Sequence, residues 1–177
     1  RTSGGYRRPA KSVDVEERCV KVWITQPGEP VPAVDQTMRA FRCGQLAEFL
    51  ADRGHRVLWW TANFDHFTKR RRFPHPTDIK ARQGLEIRFL DSPGYKRNIS
   101  LSRWRDHQIL AAEFLKEAEG SREMPDLIFA SLPPLELADA ATRCPGCPIF
   151  TECEDAASEK RPCWGIWAGR NYAPRRK

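Results

Sequence analysis

Cys19-Val20-Lys21-Val22-Trp23-Ile24-Thr25 and Arg56-Val57-Leu58-Trp59-Trp60-Thr61 are the stretches whose reading decides the fold. Each is a short apolar run rich in β-branched and aromatic residues, the composition of a buried strand. Between them, Gln26-Pro27-Gly28-Glu29-Pro30-Val31-Pro32-Ala33-Val34-Asp35 carries three prolines and a glycine, which exclude a helix there. Residues 37–53 then suit a helix, with Phe41, Leu46, Phe49 and Leu50 sharing a face and Gly54 as a fitting stop. Strand, helix and strand with short joints make a βαβ unit, the seed of a parallel sheet with a right-handed connection.

Outward from this unit, residues 1–18 mix Gly, Pro, Arg and Glu with no apolar period and read as a loose, disordered basic tail. On the other side, a polar loop over 62–78 holds Phe64-Asp65-His66-Phe67 and the basic run Lys69-Arg70-Arg71-Arg72. Strands are expected at 79–81 and 85–90, joined by a turn at Gln83-Gly84, and Ser92-Pro93-Gly94-Tyr95 breaks the pattern. Trp104, Ala111, Phe114, Leu115 and Ala118 recur at helical spacing over 101–118. Residues 126–130 read as another buried strand and 135–142 as a further helix. At Arg143 the regular alternation gives way to Cys, Pro, Trp and charge, so a domain boundary is expected there. The expected fold class is α/β: a Rossmann-like parallel sheet over 19–142 with a short, irregular Cys-rich tail over 143–177.

The 177 residues are 40% apolar, enough for a core, which excludes a fully disordered chain. No apolar run reaches the roughly 18 residues of a membrane span, and no secretory signal is recognisable. The chain does not begin with Met, and the expectation is a fragment, a processed product or a truncated gene, working in the cytoplasm. Thirty Lys and Arg against 23 Asp and Glu give a net charge of +7. That balance suits anionic partners (nucleic acid, phosphates, nucleotide groups, an anionic membrane face) or serves solubility alone. Of six cysteines, Cys19 and Cys43 stand apart, while Cys144, Cys147, Cys153 and Cys163 fall within 20 residues. With no signal peptide, that density points to metal or redox chemistry rather than a disulfide framework.

Ligands of Rossmann-like sheets bind at the carboxyl ends of the strands. The loop after the first strand lacks G-x-G-x-x-G and carries Pro27-Gly28-Glu29-Pro30, so a dinucleotide site is not expected. Thr25-Gln26-Pro27-Gly28-Glu29-Pro30, Arg39-Ala40-Phe41-Arg42-Cys43-Gly44-Gln45-Leu46-Ala47, Arg53-Gly54-His55-Arg56-Val57 and Phe64-Asp65-His66 resemble the N-terminal domain of GT-B glycosyltransferases of family 4. Asp91-Ser92-Pro93-Gly94-Tyr95-Lys96 and Pro125-Asp126-Leu127-Ile128 continue the resemblance, which covers about residues 20–142.

This resemblance implies transfer of a sugar from a nucleotide-sugar donor to a polysaccharide or lipid-linked acceptor. The chain would be the acceptor-binding half, inactive without a donor domain, since the E-x7-E donor motif has no strand to frame it. By resemblance His66 or Asp65 is the general base on an acceptor hydroxyl. Gly28, Glu29, Arg39, Lys69 and Arg70 would bind substrate, with Lys69-Arg70-Arg71-Arg72 meeting a lipid-phosphate acceptor or an anionic membrane surface at the inner membrane face. Plainer readings stand beside these: Glu29 as a turn residue fixing its loop, His66 as a hydrogen-bonded loop residue, the basic run as a solvated loop, His55 as a helix cap, and Trp59-Trp60 as sheet packing.

The tail has the spacing C-x2-C-x5-C in Cys144-Pro145-Gly146-Cys147-Pro148-Ile149-Phe150-Thr151-Glu152-Cys153, with Cys163 ten residues further on. Four thiolates suit either zinc or an Fe–S cluster. Together with Gly165-Ile166-Trp167-Ala168-Gly169, this order resembles the C-terminal half of WhiB-like iron–sulfur proteins, which are transcription regulators. The resemblance implies a cluster on Cys144, Cys147, Cys153 and Cys163, with Arg170, Arg175, Arg176 and Lys177 contacting nucleic acid. It departs from the family in having no cysteine between Cys43 and Cys144, so Cys163 would complete the set. The tail is a joined WhiB-like fragment, a mis-joined segment or another metal site. Two functions follow: the glycosyltransferase half as the main reading, and as the alternative a WhiB-like iron–sulfur or metal-binding regulator defined by the tail.

Overall fold

The computed structural model describes residues 19–35 and 38–143, and the backbone of 165–167 and 170–172. Five strands form one sheet in the order β5-β6-β2-β1-β7, namely β1 (Lys21–Thr25), β2 (Arg56–Ala62), β5 (Thr77–Arg82), β6 (Leu85–Leu90) and β7 (Leu127–Ala130). β1 runs parallel to both β2 and β7, and β2 parallel to β6. β5 pairs antiparallel with β6 through a hairpin at Gly84. The sheet is therefore mixed, and the expectation of a parallel sheet holds for four strands of five. Gly84 has φ +78°, and a Cβ there would stand 2.9 Å from the His55 carbonyl oxygen, so the turn demands glycine.

Among the described residues, three helices pack on this sheet: α1 (Arg42–Asp52), α2 (Leu101–Glu119) and α3 (Leu135–Thr142). Alternation along the central strands sends successive side chains to opposite faces. Val22, Ile24, Val57, Trp59, Ile87 and Phe89 join Cys43, Ala47 and Ala51 of α1 on one face. Trp23, Trp60 and Leu90 meet Leu110, Phe114 and Ala118 of α2 and Leu137 of α3 on the other. There the rings of Trp23 and Trp60 meet edge-on at 4.9 Å, and those of Trp60 and Phe114 at 5.0 Å, contacts worth about 1 kcal/mol each beyond burial. The Trp59-Trp60 pair is thus sheet packing, one ring to each face. Ser100 caps α2 by accepting from Arg103 N at 3.2 Å.

Several expectations are corrected. The helix expected over 37–53 begins at Arg42. The loop over 62–78 holds a small antiparallel ribbon, β3 (Phe64–Asp65) with β4 (Arg70–Arg71). β7 is not buried: it is the sheet edge, where Leu127 is 50% and Phe129 42% exposed. His55 caps α1 through its backbone, its N–H donating to the Leu50 carbonyl oxygen at 3.1 Å beside Gly54 at φ +82°, while its side-chain Nδ1 accepts from Val20 N at 3.3 Å. In the tail, β8 (Gly165–Trp167) pairs antiparallel with β9 (Arg170–Tyr172), with Trp167 opposite Arg170. The expected loose segment 1–18 lies outside the described residues. Among the described residues, no helix is long and apolar enough to cross a membrane.

Candidate functional site

The sheet order changes direction at β1: α1 leads to β2 on one side, while β7 lies on the other. Loops leaving the carboxyl ends of β1 and β7 part at this point and leave a crevice. A cleft of about 510 Å3 opens here, lined by residues 26–29 after β1, Arg39–Arg42 before α1, Phe64 and His66, Tyr95, the first turns of α2, and Leu132–Pro134 before α3. Gln26 ties the two loops together. Its Nε2 donates to Ser131 Oγ at 2.9 Å and its Oε1 accepts from Gly28 N at 2.8 Å. Its carbonyl oxygen accepts from Trp59 Nε1 at 3.0 Å.

Glu29 is buried, and its Oε2 accepts from the N–H groups of Cys43 and Gly44 at 2.9 and 3.3 Å. A carboxylate from fourteen residues upstream thus caps the first turn of α1, where the helix dipole favours negative charge. Phe41 at the N-cap supplies no side-chain bond, so this long-range cap explains a helix start that local sequence does not mark.

Opposite stands a cluster around Tyr95. Its hydroxyl lies 2.5 Å from His66 Nδ1. The Arg103 guanidinium lies 5.5 Å from the centre of the tyrosine ring and the Lys69 ammonium 4.5 Å. Arg103 also donates to the Asn98 carbonyl oxygen at 2.8 Å and to His107 Nε2 at 3.4 Å. His107 Nδ1 sits 3.5 Å from Glu136 Oε2 on α3. An arginine donor at Nε2 leaves the other ring nitrogen to carry the proton toward Glu136, so this geometry uses a neutral imidazole. Burial, then Glu136 in opposition, then Arg103, leave the His107 pKa below the usual histidine value. Burial also lowers that of His66, reinforced by Lys69 and Arg103 and opposed by Asp65. Burial raises the Tyr95 hydroxyl, keeping it protonated. Gly94 sets this tyrosine: its φ is +75°, a Cβ would come within 2.5 Å of the Phe64 ring, and its N–H donates to buried Asp106 at 2.6 Å.

Gly28, Glu29, Arg39 and His66 meet at this one cleft, as the sequence reading grouped them. Asp65, Lys69 and Arg70 do not line it. Asp65 fixes the turn that follows it, accepting from Phe67 N, Thr68 N and the Thr68 hydroxyl. Burial pushes its carboxyl up, but the Thr68 hydroxyl, these N–H groups and Arg72 overcome that and hold it below the ordinary range. The basic run is not uniformly solvated. Arg70 and Arg71 are exposed, whereas the Arg72 side chain is 3% exposed, 2.8 Å from Asp35 and 3.6 Å from Asp65. Its Nη1 donates to the carbonyl oxygens of Ala62 and Phe64. Tyr95, Arg103 and His107 were not picked out from the sequence. The four-residue spacing of Arg103 and His107, one face of one helix, was the available signal.

Burial pushes the Cys43 thiol up to about 11, opposed by Ser131, so this cysteine is an inert core residue. Among the described residues no group of three or more His, Cys, Asp or Glu is placed to hold a metal. Cys144, Cys147, Cys153 and Cys163 lie outside the described residues.

Residues 115–177 match the family model described as transcription factor WhiB. Forty-five residues, 25% of this chain, are 47% identical to the transcriptional regulator WhiB7 of Mycolicibacterium smegmatis (strain ATCC 700084 / mc(2)155). That alignment covers 43% of WhiB7, so the chain spans less than half of its length. These findings overturn the glycosyltransferase reading. The matched family is one of transcription factors, and its match begins at Leu115 within α2 and takes in β7 and α3, which the other reading had claimed. The nucleotide-sugar donor, the sugar or lipid-phosphate acceptor, the absent donor domain and the membrane-surface contact lose their support with it.

Proposed function

We propose that the chain acts as a WhiB-like transcription regulator, with its chemistry in residues 143–177 and the domain over 19–142 as a Rossmann-like scaffold. The observation that carries the reading is the family match over 115–177, which includes all four clustered cysteines and the basic C-terminal segment. Four thiolates within 20 residues are a donor set suited to an Fe–S cluster. Cys144, Cys147, Cys153 and Cys163 would hold it, and a cluster bound there would lend the tail sensitivity to redox state. In this reading the protein works in the cytoplasm, and its partner is DNA.

Arg170, Arg175, Arg176 and Lys177 would meet the phosphate backbone, which gives affinity and register without base reading. The test is fluorescence anisotropy of a labelled duplex titrated with the full chain at several salt concentrations. Affinity should fall with salt at a log–log slope of up to about −3.6 for four contacts. The Arg175→Gln/Arg176→Gln double variant should make that slope shallower by about 2. Absence of duplex binding at low salt, or an unchanged slope in the variant, would overturn the assignment.

A further inference from the structure

The match to transcription factors leaves the cleft at the carboxyl ends of β1 and β7 without a role. Its lining holds three guanidinium groups (Arg39, Arg42 and Arg103) and two carboxylates, Glu29 and Asp106. Both carboxylates are buried, 8% and 3% exposed, and both are committed to backbone N–H groups: Glu29 to the start of α1, Asp106 to Gly94. Among the described residues, Arg39 and Arg42 form no ion pair and no side-chain hydrogen bond. Two of the three cations of the cleft, Arg39 and Arg42, are therefore open to a ligand, Arg103 keeps donor N–H groups beyond those given to Asn98 and His107, and the anions are already engaged. The rest of the lining includes the apolar side chains of Phe41, Leu110, Leu132 and Pro134.

We propose that this cleft is a binding site for a small organic phosphate, its phosphate held by Arg39, Arg42 and Arg103 and its ring packed against the apolar lining residues. Guanidinium groups bind phosphate through paired charge-assisted hydrogen bonds, stronger than neutral ones. A concave cavity of about 510 Å3 with apolar walls and a few polar groups has the size and character of a small-molecule site. A duplex backbone presents its phosphates on a convex rod, which does not suit a hollow of this volume. Arg103 also touches His107, which faces Glu136 on α3. Occupancy would thus be felt by the helix that leads into the cysteine-rich tail.

Phenyl phosphate is a suitable probe, because it joins one ring to one phosphate. Isothermal titration calorimetry of the full chain should show saturable binding at one site. Phenol and inorganic phosphate, each carrying half of the recognition, should bind at least about tenfold more weakly. Arg42→Gln, at an exposed position that leaves the core intact, should weaken phenyl phosphate binding about tenfold, and Arg103→Gln by as much or more. Lys80→Gln, on β5 and away from the cleft, should change nothing. No saturable binding of phenyl phosphate, or an equal loss in the Lys80 variant, would overturn the proposal. So would displacement of the probe by a short duplex in proportion to DNA binding, which would make the cleft a nucleic-acid contact. The phenyl phosphate titrations of the chain and its cleft variants depend on neither the cysteines nor the C-terminal arginines, so this site and the DNA-binding reading fail independently.

Discussion

β5 and β7 close the same sheet at opposite edges, yet they are made of different material. β5 reads Thr-Asp-Ile-Lys-Ala-Arg, alternates between half-buried and exposed positions, and pairs Asp78 with Arg88 across the hairpin. Charge along an edge strand discourages pairing with another chain. β7 reads Leu-Ile-Phe-Ala, carries no charge, and leaves Leu127 and Phe129 half exposed. One edge is sealed by its own chemistry. The other lies inside the segment that matches the transcription-factor family and flanks the cleft. The comparison teaches that the two edges differ in kind: the β5 hairpin is a charged terminus of the fold, while the β7 edge is apolar and borders the cleft.

The largest test of that asymmetry is the core beneath α2. Phe114→Ala should destabilise the domain by about 3–5 kcal/mol, because the ring is fully buried against Trp23 and Trp60. Ile79→Ala on half-buried β5 should cost only about 1–2 kcal/mol, both read from urea denaturation. Equal losses would break the contrast. Next comes the ribbon before β5. Arg72→Ala strands Asp35 and Asp65 without their buried partner and should cost about 3 kcal/mol. Arg82→Ala, which removes an exposed partner of Asp52, should cost under about 1 kcal/mol.

A smaller, pH-dependent effect distinguishes the cleft from the rest of the domain. Folding lowers the pKa of His66 and His107, so the unfolded chain takes up more protons as pH falls through about 6.5. Stability should therefore decline on acidification from pH 7 to 5, a window above the one in which Asp65 titrates. The His66→Asn/His107→Asn double variant should show a flatter urea midpoint over that window. An unchanged slope would remove the half-buried, neutral histidines from the account.

Much of this architecture was legible in the chain. The apolar runs placed β1, β2, β6 and β7, helical spacing placed α2 to within a residue, and the expected helix over 135–142 coincides with α3. What escaped depends on groups far apart in sequence. Glu29 caps α1 from fourteen residues upstream, and no local capping pattern announces it. The ribbon of β3 and β4 is held by Arg72 against Asp35, thirty-seven positions away. The exposure of β7 follows from having a neighbour on one side only, which an apolar run cannot report. Within the cleft, the strand-end rule pointed to Gly28 and Glu29, but Glu29 serves the helix; Arg39 and His66 were named only through a resemblance that the family match overturns. Tyr95, Arg103 and His107 were missed because their meeting with His66 is made only by folding.

The central claim, that the segment matching the transcription-factor family holds a cluster on its thiolates, is tested most directly by iron and sulfide analysis of the full chain purified without oxygen. The account predicts iron and acid-labile sulfide in comparable amounts, with absorbance near 400 nm, and their loss in Cys147→Ser while the fold is retained. Zinc alone, or iron and sulfide unchanged in that variant, would contradict it.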